Sequence, residues 1–456
     1  MHIAPKLVLC YALASVNNKP DTSGSLKTKG FSTWDYLKIT ILVFATTALW
    51  QGMHGIILPL RVLDFVPEAE KNTYLGLLIS TGLVLAMIVQ PIIGAISDHS
   101  VFRWGRRRPF IFIGGLFLLL ILPGIGLANS YFVLFTVYCF LQISSNTVQG
   151  PHQGFIPDLV PNGKRGLASG VKGLLEIVGG IALLYPIAIF MDNYDADQGS
   201  QWLWLSLLLP GVLLFLFMAV TITTVKEQPS SDGLRVAKVT FDIGAKLFRF
   251  LAWFRLSRLI SFLHAHRNFI LFLASRLFFF MAMAIIQRFA LYFLTDVIGA
   301  EDPAEAVFRF SILGVIGMLL IVYPAGRLSD KIGRKPIAIS SAALGTLGIL
   351  IITLYQNYTS ILIAATILGI ATGAFSSTNW ALATDLVNKG KEARYLGIAN
   401  MATAGAGVLA GLFGPLIDHY ETITSGLGYQ IMLIACLLFF LFGGLLLLRV
   451  KSTVNR

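Results

Sequence analysis

Charged side chains are scarce in this sequence. Asp, Glu, Lys and Arg make up 13% of its 456 residues, whereas soluble domains carry roughly 25%. Hydrophobic residues account for 56% of the chain, so the composition predicts an integral membrane protein. The net charge of +12 could suggest a nucleic-acid partner. The charges lie in the segments that flank and connect the apolar runs, however, which favours the membrane surface, and we expect no nucleic-acid partner.

Motifs for chemical catalysis are also missing. The three cysteines, Cys10, Cys139 and Cys436, are scattered along the chain, and their spacing fits neither a metal site nor a disulfide. The sequence shows no nucleotide-binding loop, no metal-ligand cluster and no nucleophile–base arrangement. We therefore expect no enzymatic activity, no cofactor and no metal.

Long apolar runs are what the sequence has in abundance. Twelve of them have the length of about 20 residues that a helix needs to cross the hydrocarbon of a bilayer. They lie at 37–60, 73–96, 109–128, 131–156, 167–190, 202–224, 268–294, 305–327, 336–355, 359–383, 394–417 and 427–449. The sequence thus predicts an all-α membrane protein with twelve transmembrane helices.

The apolar runs and the polar stretches between them predict five parts of the chain. They are a cytoplasmic N-terminal segment (1–33), a six-helix bundle (34–225), a cytoplasmic linker (226–267), a second six-helix bundle (268–450) and a cytoplasmic tail (451–456). Part of the linker, 236–263, mixes Lys and Arg with Phe and Trp, which is typical of a basic amphipathic helix on the inner leaflet. A regulatory or partner-binding helix is the alternative.

Lys and Arg are distributed unevenly between the two sides of the predicted membrane. Most of the 35 basic residues lie in the terminal segments and in the loops after even-numbered helices, and the positive-inside rule places both termini in the cytoplasm. The other side carries acidic residues: Asp192, Asp195, Asp197, Asp296, Glu301, Asp302 and Glu305. We expect a multi-pass protein of the plasma (inner) membrane, in contact with its lipids.

A loop motif occurs twice in the chain. Residues 94–109 and 326–336 each contain a Gly, a Ser-Asp pair and a run of basic residues before a Pro, and Asp98 and Asp330 are 232 positions apart. Repetition at this distance predicts two pseudo-symmetric bundles. We predict that both copies act as gating loops, through Asp98, Arg106, Arg107, Asp330, Arg334 and Lys335.

The repeated motif resembles the loops of the major facilitator superfamily. The first copy, together with Gln90-Pro91 and the sequence Asn-Thr-Val-Gln-Gly-Pro at 146–151, is similar to the plant sucrose–proton symporters and their glycoside-transporting relatives. The resemblance implies the major facilitator fold, with rocking alternation of access and a substrate site between the halves. An Arg of the sucrose symporters corresponds to Gln153 here, so either proton coupling is arranged elsewhere or the substrate differs.

Polar residues inside the predicted helices are candidates for the site, because they are expensive in hydrocarbon. On the fourth helix, Gln142, Asn146, Gln149 and Gln153 recur at intervals that place them on one face. Amides both donate and accept hydrogen bonds, which suits a neutral polyhydroxyl substrate. Hydrogen bonding between helices is the alternative.

Other helices supply further candidates of the same kind. Those we assign to substrate binding are Gln51 and His54 on the first helix, Gln287 and Arg288 on the seventh, and Asn379 and Trp380 on the tenth. For His54 a structural hydrogen bond is the alternative, and for Trp380 a place in the helical core.

One acidic residue lies near the middle of a predicted helix. Glu176 follows Lys172 by four positions, so the two side chains are neighbours on one helix face. The pair is either a neutralised ion pair or a proton-responsive switch, because burial favours the neutral carboxyl group and Lys172 favours the charged one.

These residues indicate a secondary transporter that carries a small polar solute, a sugar or glycoside, with protons if transport is coupled. Export or exchange of an amphipathic solute is the alternative, and a mostly apolar cavity would favour it. A third hypothesis is a non-transporting lipid- or pigment-handling protein; the two intact gating loops argue against it. We expect a monomer.

Overall fold

Among the residues that the computed structural model describes, twelve helices are long and apolar enough to cross a membrane. The structure describes residues 32–98, 100, 102–195, 199–227, 267–386 and 392–450. The spans, labelled α1 to α12, are Trp34–Leu63, Glu68–Asp98, Arg108–Leu127, Tyr131–Leu159, Arg165–Asp192, Ser200–Thr224, Arg267–Asp296, Pro303–Ile332, Arg334–Leu354, Tyr358–Ala383, Ile398–Glu421 and Leu427–Arg449. The prediction of an all-α membrane protein with twelve spans is confirmed.

The apolar runs form helices because a backbone in lipid must satisfy its own hydrogen bonds. Local signals set several of the ends. α3 has Pro109 in its first turn, where the missing N–H costs nothing. α8 ends at Gly333, whose φ of 96° stops the helix and is a conformation that glycine adopts readily.

The twelve spans form two sets, α1 to α6 and α7 to α12, here called the first and the second half. Contacts between the halves join α1, α2 and α5 to α7, α8 and α11. We call the side with the two repeated loops the basic face and the other side the opposite face. Nearly all of the predicted linker (226–267) lies outside the described residues, so its amphipathic helix and the domain limits stay predictions.

Interruptions in α1, α5 and α11 lie in spans that form contacts between the halves. α1 contains a π-helical turn at Met53–Ile57, of a kind often found at functional sites. α5 breaks at Leu183, so that its last part is the nine-residue helix Leu184–Asp192. α11 breaks after Ala410, and its last part, Phe413–Glu421, also has nine residues. The two halves thus repeat a helix break as well as a loop.

Glycines bring the halves into close contact where α2 crosses α11. A Cβ added at Gly76 would lie 2.4 Å from the carbonyl oxygen of Gly411, and one added at Gly414 would lie 2.2 Å from that of Asn72. Only glycine allows the two backbones this approach.

Candidate functional site

A cavity of about 240 Å³ lies between the two halves. Its walls come from α1, α5, α7, α8 and α10. The polar lining residues are Thr47, Gln51, Glu176, Gln287, Ser311 and Thr372. The other lining residues are apolar or glycine, with Met283, Phe310 and Met318 among them. A few hydrogen-bonding groups on an apolar wall are typical of small-molecule sites.

Two of the predicted site residues face this cavity from the first helix of each half. Gln51 of α1 and Gln287 of α7 both line it. The side chain of Gln287 is exposed, whereas Ile286 and Arg288 beside it are buried. Each amide can donate and accept hydrogen bonds, so the structure brings two matched polar groups to one space.

Glu176 is the only carboxylate among the residues that line the cavity. Its Oε1 atom lies 3.0 Å from Nζ of Lys172, and its side chain is 42% exposed. Lys172 and Glu176 also line a smaller cavity of about 30 Å³, with Gln149, His152 and Gln153. Glu176 therefore stands between the central cavity and a second polar space, in an ion pair that is not sealed from water.

His54 lies in the π-helical turn of α1, in contact with α4. Its Nε2 atom is 3.0 Å from the hydroxyl oxygen of Tyr138, and that hydroxyl accepts a hydrogen bond of 2.8 Å from the amide of Gln142. The Tyr138 proton is then available to His54. Nearby, Nε1 of Trp50 donates to the hydroxyl of Ser145 over 2.7 Å. In this structure His54 has a structural hydrogen bond.

The other amides of the α4 row bond to the same helix. Nδ2 of Asn146 donates to the backbone oxygen of Gln142 over 2.8 Å, and Nε2 of Gln149 donates to the Ser145 hydroxyl over 2.9 Å. Gln142 and Asn146 are buried and are not among the lining residues of the central cavity. Gln153 is exposed. Solute contact by this row stays a prediction.

Two further predicted site residues, Arg288 of α7 and Asn379 of α10, have hydrogen-bond partners on other helices. Arg288 is buried and donates to the Ser80 hydroxyl of α2 over 3.0 Å and to the backbone oxygen of Gly407 in α11 over 2.8 Å. It therefore joins the halves.

Asn379 is also buried, and its Oδ1 accepts a hydrogen bond from the guanidinium of Arg276. Arg276 donates in addition to the Thr403 hydroxyl over 2.8 Å. The side chain of Trp380 lies outside the described residues, so its role stays a prediction.

The first basic loop is built around a buried guanidinium. Arg107 is 7% exposed and lies 2.6 Å from a carboxylate oxygen of Asp98 and 2.5 Å from one of Asp158. Arg106 pairs with the other oxygen of Asp158 at 2.6 Å, and this contact raises the pKa of the Arg106 guanidinium. Glu227 accepts hydrogen bonds from the backbone N–H of Arg107 and Arg108, at 3.0 and 3.1 Å, and so caps α3.

The second basic loop has a different set of partners. Asp330 is exposed and, among the described side chains, forms no salt bridge. Arg334 donates to the backbone oxygen of Ala381 over 2.9 Å. Lys335 donates to the oxygens of Leu448 and Val450, over 2.9 and 2.7 Å, at the end of α12.

Several residues with prominent contacts lie outside the predicted site. Tyr138 was hidden in an apolar run, and only its position one turn before Gln142 could have indicated it. Glu227 follows α6 in a stretch without a motif. Asp192 and Asp418 lie in the last turns of two helices of equivalent position, a signal that requires the two halves to be aligned through α5 and α11.

Comparison with known proteins adds the family. The sequence model of the Major Facilitator Superfamily matches residues 39–411 and, in a second match, 303–455. Among the solved structures that match nearly the whole chain are two transporters. The nucleoside transporter NupG has a TM-score of 0.66 at 14% identity, covering 91% of this chain and 98% of that one. The D-xylose-proton symporter has a TM-score of 0.64 at 17% identity, covering 89% and 97%. At these identities the likeness shows the fold alone.

Curated relatives match a part of the chain. Sucrose transport protein SUT5 of Oryza sativa subsp. indica is 28% identical over 160 residues, 30% of this chain and 29% of the relative. Multidrug resistance protein MdtL of Klebsiella pneumoniae is 33% identical over 120 residues, 26% of this chain and 30% of the relative. Minor myo-inositol transporter IolF of Bacillus subtilis is 27% identical over 128 residues, 28% of each. The chain thus spans less than a third of the length of these relatives.

The family match over most of the chain agrees with the twelve spans and the repeated loops, and the resemblance predicted from those loops is confirmed. The chain belongs to the Major Facilitator Superfamily and is a multi-pass membrane transporter, not an enzyme.

Proposed function

We propose that this transporter carries a small, uncharged, polyhydroxylated solute, a sugar or glycoside, by alternating access. The observation that carries the proposal is the pair of amides, Gln51 and Gln287, which face one cavity from equivalent helices of the two halves. A solute held between them is bound by both halves at once. Its binding therefore depends on how the halves are arranged, as alternating access requires.

The volume of the cavity and the relatives of the chain also support a small sugar-like solute. A volume of about 240 Å³ lies just below the ~300–1,000 Å³ of sites for drug-sized ligands, which favours a small solute. Sucrose and myo-inositol transporters are among the partial relatives. We propose a monomer in the plasma membrane, with the basic face in the cytoplasm.

Proton coupling, where it occurs, is assigned to Glu176 within this proposal. The carboxylate of Glu176 lines the cavity between the halves and pairs with Lys172 at 3.0 Å, so a movement of the halves would change its hydration. Protonation would release Lys172 and change the relative stability of the two arrangements. His54 is the alternative site of coupling, although its hydrogen bond to Tyr138 favours a structural role.

Uptake into proteoliposomes tests the proposal. The purified protein is reconstituted and supplied with radiolabelled sucrose, aryl glycosides and myo-inositol, with and without an inward pH gradient. Gln51→Ala and Gln287→Ala should each raise the half-saturating concentration by about threefold to tenfold, the value of one lost hydrogen bond. Gln356→Ala, a change to an exposed amide in the loop between α9 and α10, is the matched control. Uptake of none of these solutes would contradict the proposal.

A Glu176→Gln variant separates coupling from binding. A proton-coupled carrier should lose accumulation driven by the pH gradient but keep exchange of solute across the membrane, because exchange needs no net proton movement. Glu301→Gln, on the exposed opposite face, should leave both unchanged. Accumulation that survives in Glu176→Gln with an unaltered pH profile would make Glu176 a structural residue.

The apolar wall favours a second candidate, export or exchange of an amphipathic solute. Met283, Phe310 and Met318 line the same cavity as the amides, and Met and Phe adapt to varied apolar ligands. Multidrug resistance protein MdtL is among the partial relatives. Efflux of a lipophilic amine from loaded vesicles, with competition by aryl glycosides but not by sucrose, would favour this candidate over the first.

A further inference from the structure

A carboxylate of the first half binds the start of a helix in the second half. Asp192, the last residue of α5, accepts hydrogen bonds from the backbone N–H groups of Ala304 and Glu305, both at 2.8 Å. These N–H groups belong to the first turn of α8, where no partner exists within the helix itself. The carboxylate also lies at the positive end of the α8 dipole.

A carboxylate of the second half makes the reciprocal contact. Asp418, in the last part of α11, accepts hydrogen bonds from the backbone N–H of Asn72 at 3.3 Å and of Thr73 at 2.7 Å. These two residues lie in the first turn of the α-helical part of α2, Lys71–Asp98, which follows a short 3₁₀ turn. The side-chain amide of Asn72 adds a third bond of 2.9 Å to the same carboxylate, which is only 7% exposed.

The two contacts are related by the internal repeat. Asn72 and Ala304 are 232 positions apart, the same distance as between Asp98 and Asp330 in the two loops. Each carboxylate sits on the nine-residue helix that follows a break, in α5 or α11. When the two nine-residue helices are aligned at their first residues, Asp418 lies three positions before the residue that matches Asp192. Three positions are about one helical turn, so the two carboxylates occupy the same helix face.

We propose that Asp192 and Asp418 are a matched pair of gating residues that hold the opposite face closed. Both contacts cross between the halves, and both lie on the opposite face. Each forms only when the carboxylate of one half is adjacent to the helix start of the other. When that face opens, each helix start and each carboxylate must return to water. The pair therefore stabilises one end state of the transport cycle, and this role rests on the proposed alternating access.

The salt bridge that Lys71 forms across this face has no such symmetry. Lys71 reaches Asp296 over 2.8 Å, and Tyr429 donates to the same carboxylate over 2.6 Å. The equivalent residue in the first half, Asp64, pairs instead with Arg61 of its own helix and accepts a hydrogen bond from Tyr194. Unlike the Lys71–Asp296 contact, the Asp192 and Asp418 contacts therefore act on both sides of the pseudo-twofold axis.

Distances between spin labels test the proposal without a substrate. One label is placed at Asn129 and one at Gln356, exposed positions in the loops of the opposite face in the first and the second half, with the three native cysteines replaced by alanine. Pulsed electron resonance then measures the populations of closed and open arrangements in nanodiscs.

Removing a carboxylate should favour the open arrangement. Asp192→Ala and Asp418→Ala should each raise the open-to-closed ratio by about tenfold, and Asn at either position by less, because Asn keeps the accepting oxygen and loses the charge. The double Ala variant should exceed either single change. Glu301→Gln, an exposed carboxylate change on the same face, is the matched control and should leave the distances unaltered.

A second variant approaches the contact from the donor side. Ala304→Pro removes one N–H that Asp192 binds, in the first turn of α8 where proline is tolerated, and should shift the distances in the same direction as Asp192→Ala. Unaltered distances in both the double Ala variant and Ala304→Pro would overturn the proposal. If the distances shift but no solute is transported, the gating residues stand and the proposed substrate class is wrong.

Discussion

The two copies of the basic loop differ in how they hold their charges. In the first copy, Arg107 is buried between two carboxylates. In the second copy, Asp330 is exposed, and Lys335 donates hydrogen bonds to the carbonyl oxygens at the end of α12. The same motif is thus a closed ionic cluster in one half and a set of separate helix-end contacts in the other.

Two copies of one sequence motif can therefore form different contacts, and have different roles, in the same conformation of the protein. The first cluster is complete within its own half and can persist while the halves move. Asp330 has no salt bridge among the described side chains, so it is available for a partner that approaches when the basic face closes. We infer that the first copy stiffens its half and the second copy responds to the movement.

Replacing Arg107 should have the largest effect. Arg107→Gln leaves Asp98 and the half-buried Asp158 without their shared cation, and breaking a largely buried ion pair costs about 2–4 kcal/mol after allowance for the partial exposure of the carboxylates. Thermal unfolding of the purified protein in detergent should show a much lower Tm. Arg103→Gln, in the exposed part of the same loop, is the control, and an equal fall in both would contradict the prediction.

The two loop aspartates should separate stability from transport. Asp98→Asn should lower both the Tm and the uptake rate, since it weakens the 2.6 Å contact with Arg107. Asp330→Asn should leave the free energy of unfolding within about 0.5 kcal/mol of the parent, as for an exposed residue, yet still reduce uptake. Unchanged uptake in both variants would show that the loops only anchor the topology.

Glu227→Gln should have a smaller effect. Its carboxylate caps the start of α3 through the N–H groups of Arg107 and Arg108, and a charge at this position contributes about 0.5–1 kcal/mol. Denaturant or thermal unfolding should register that loss, whereas Glu301→Gln should not. A loss as large as that of Arg107→Gln would mean that Glu227 belongs to the ionic cluster itself.

Lys335→Met should have the smallest effect. It removes the cation of a partly exposed Lys from the last carbonyl groups of α12, an interaction worth about 0.3–1 kcal/mol near the protein surface. The Tm should fall slightly, and the fall should diminish at high salt, because the interaction is screened. Lys226→Met, at an exposed position after α6, serves as the control.

The sequence was sufficient for the spans and the repeat, because length and apolar content alone decide whether a helix crosses a bilayer. The sequence also indicated Gln51, Gln287 and Glu176 as candidates for the site, since polar groups within apolar runs are rare, and all three line the central cavity. It was less informative for Gln142 and Asn146. Their periodicity identifies a common face but not whether that face meets solvent or a neighbouring helix, and here Tyr138 supplies the partner.

Contacts between the halves were the hardest to predict. Asp192 and Asp418 lie at helix ends, where acidic residues are common, and nothing local distinguishes them from Glu301 or Asp302. Their importance comes from backbone N–H groups contributed by α8 and α2. A sequence pattern cannot identify these donors, because every residue except proline has a backbone N–H.

The bond between Asn72 and Asp418 joins residues 346 positions apart, and this separation has a consequence for biosynthesis. Asn72 is inserted early, whereas its partner leaves the ribosome only near the end of translation. At some 5–20 residues per second, the first half waits for tens of seconds with Gln51 and Glu176 uncovered by the second half. It must therefore be stable in the bilayer by its own packing, and the closed face is the last part of the protein to assemble.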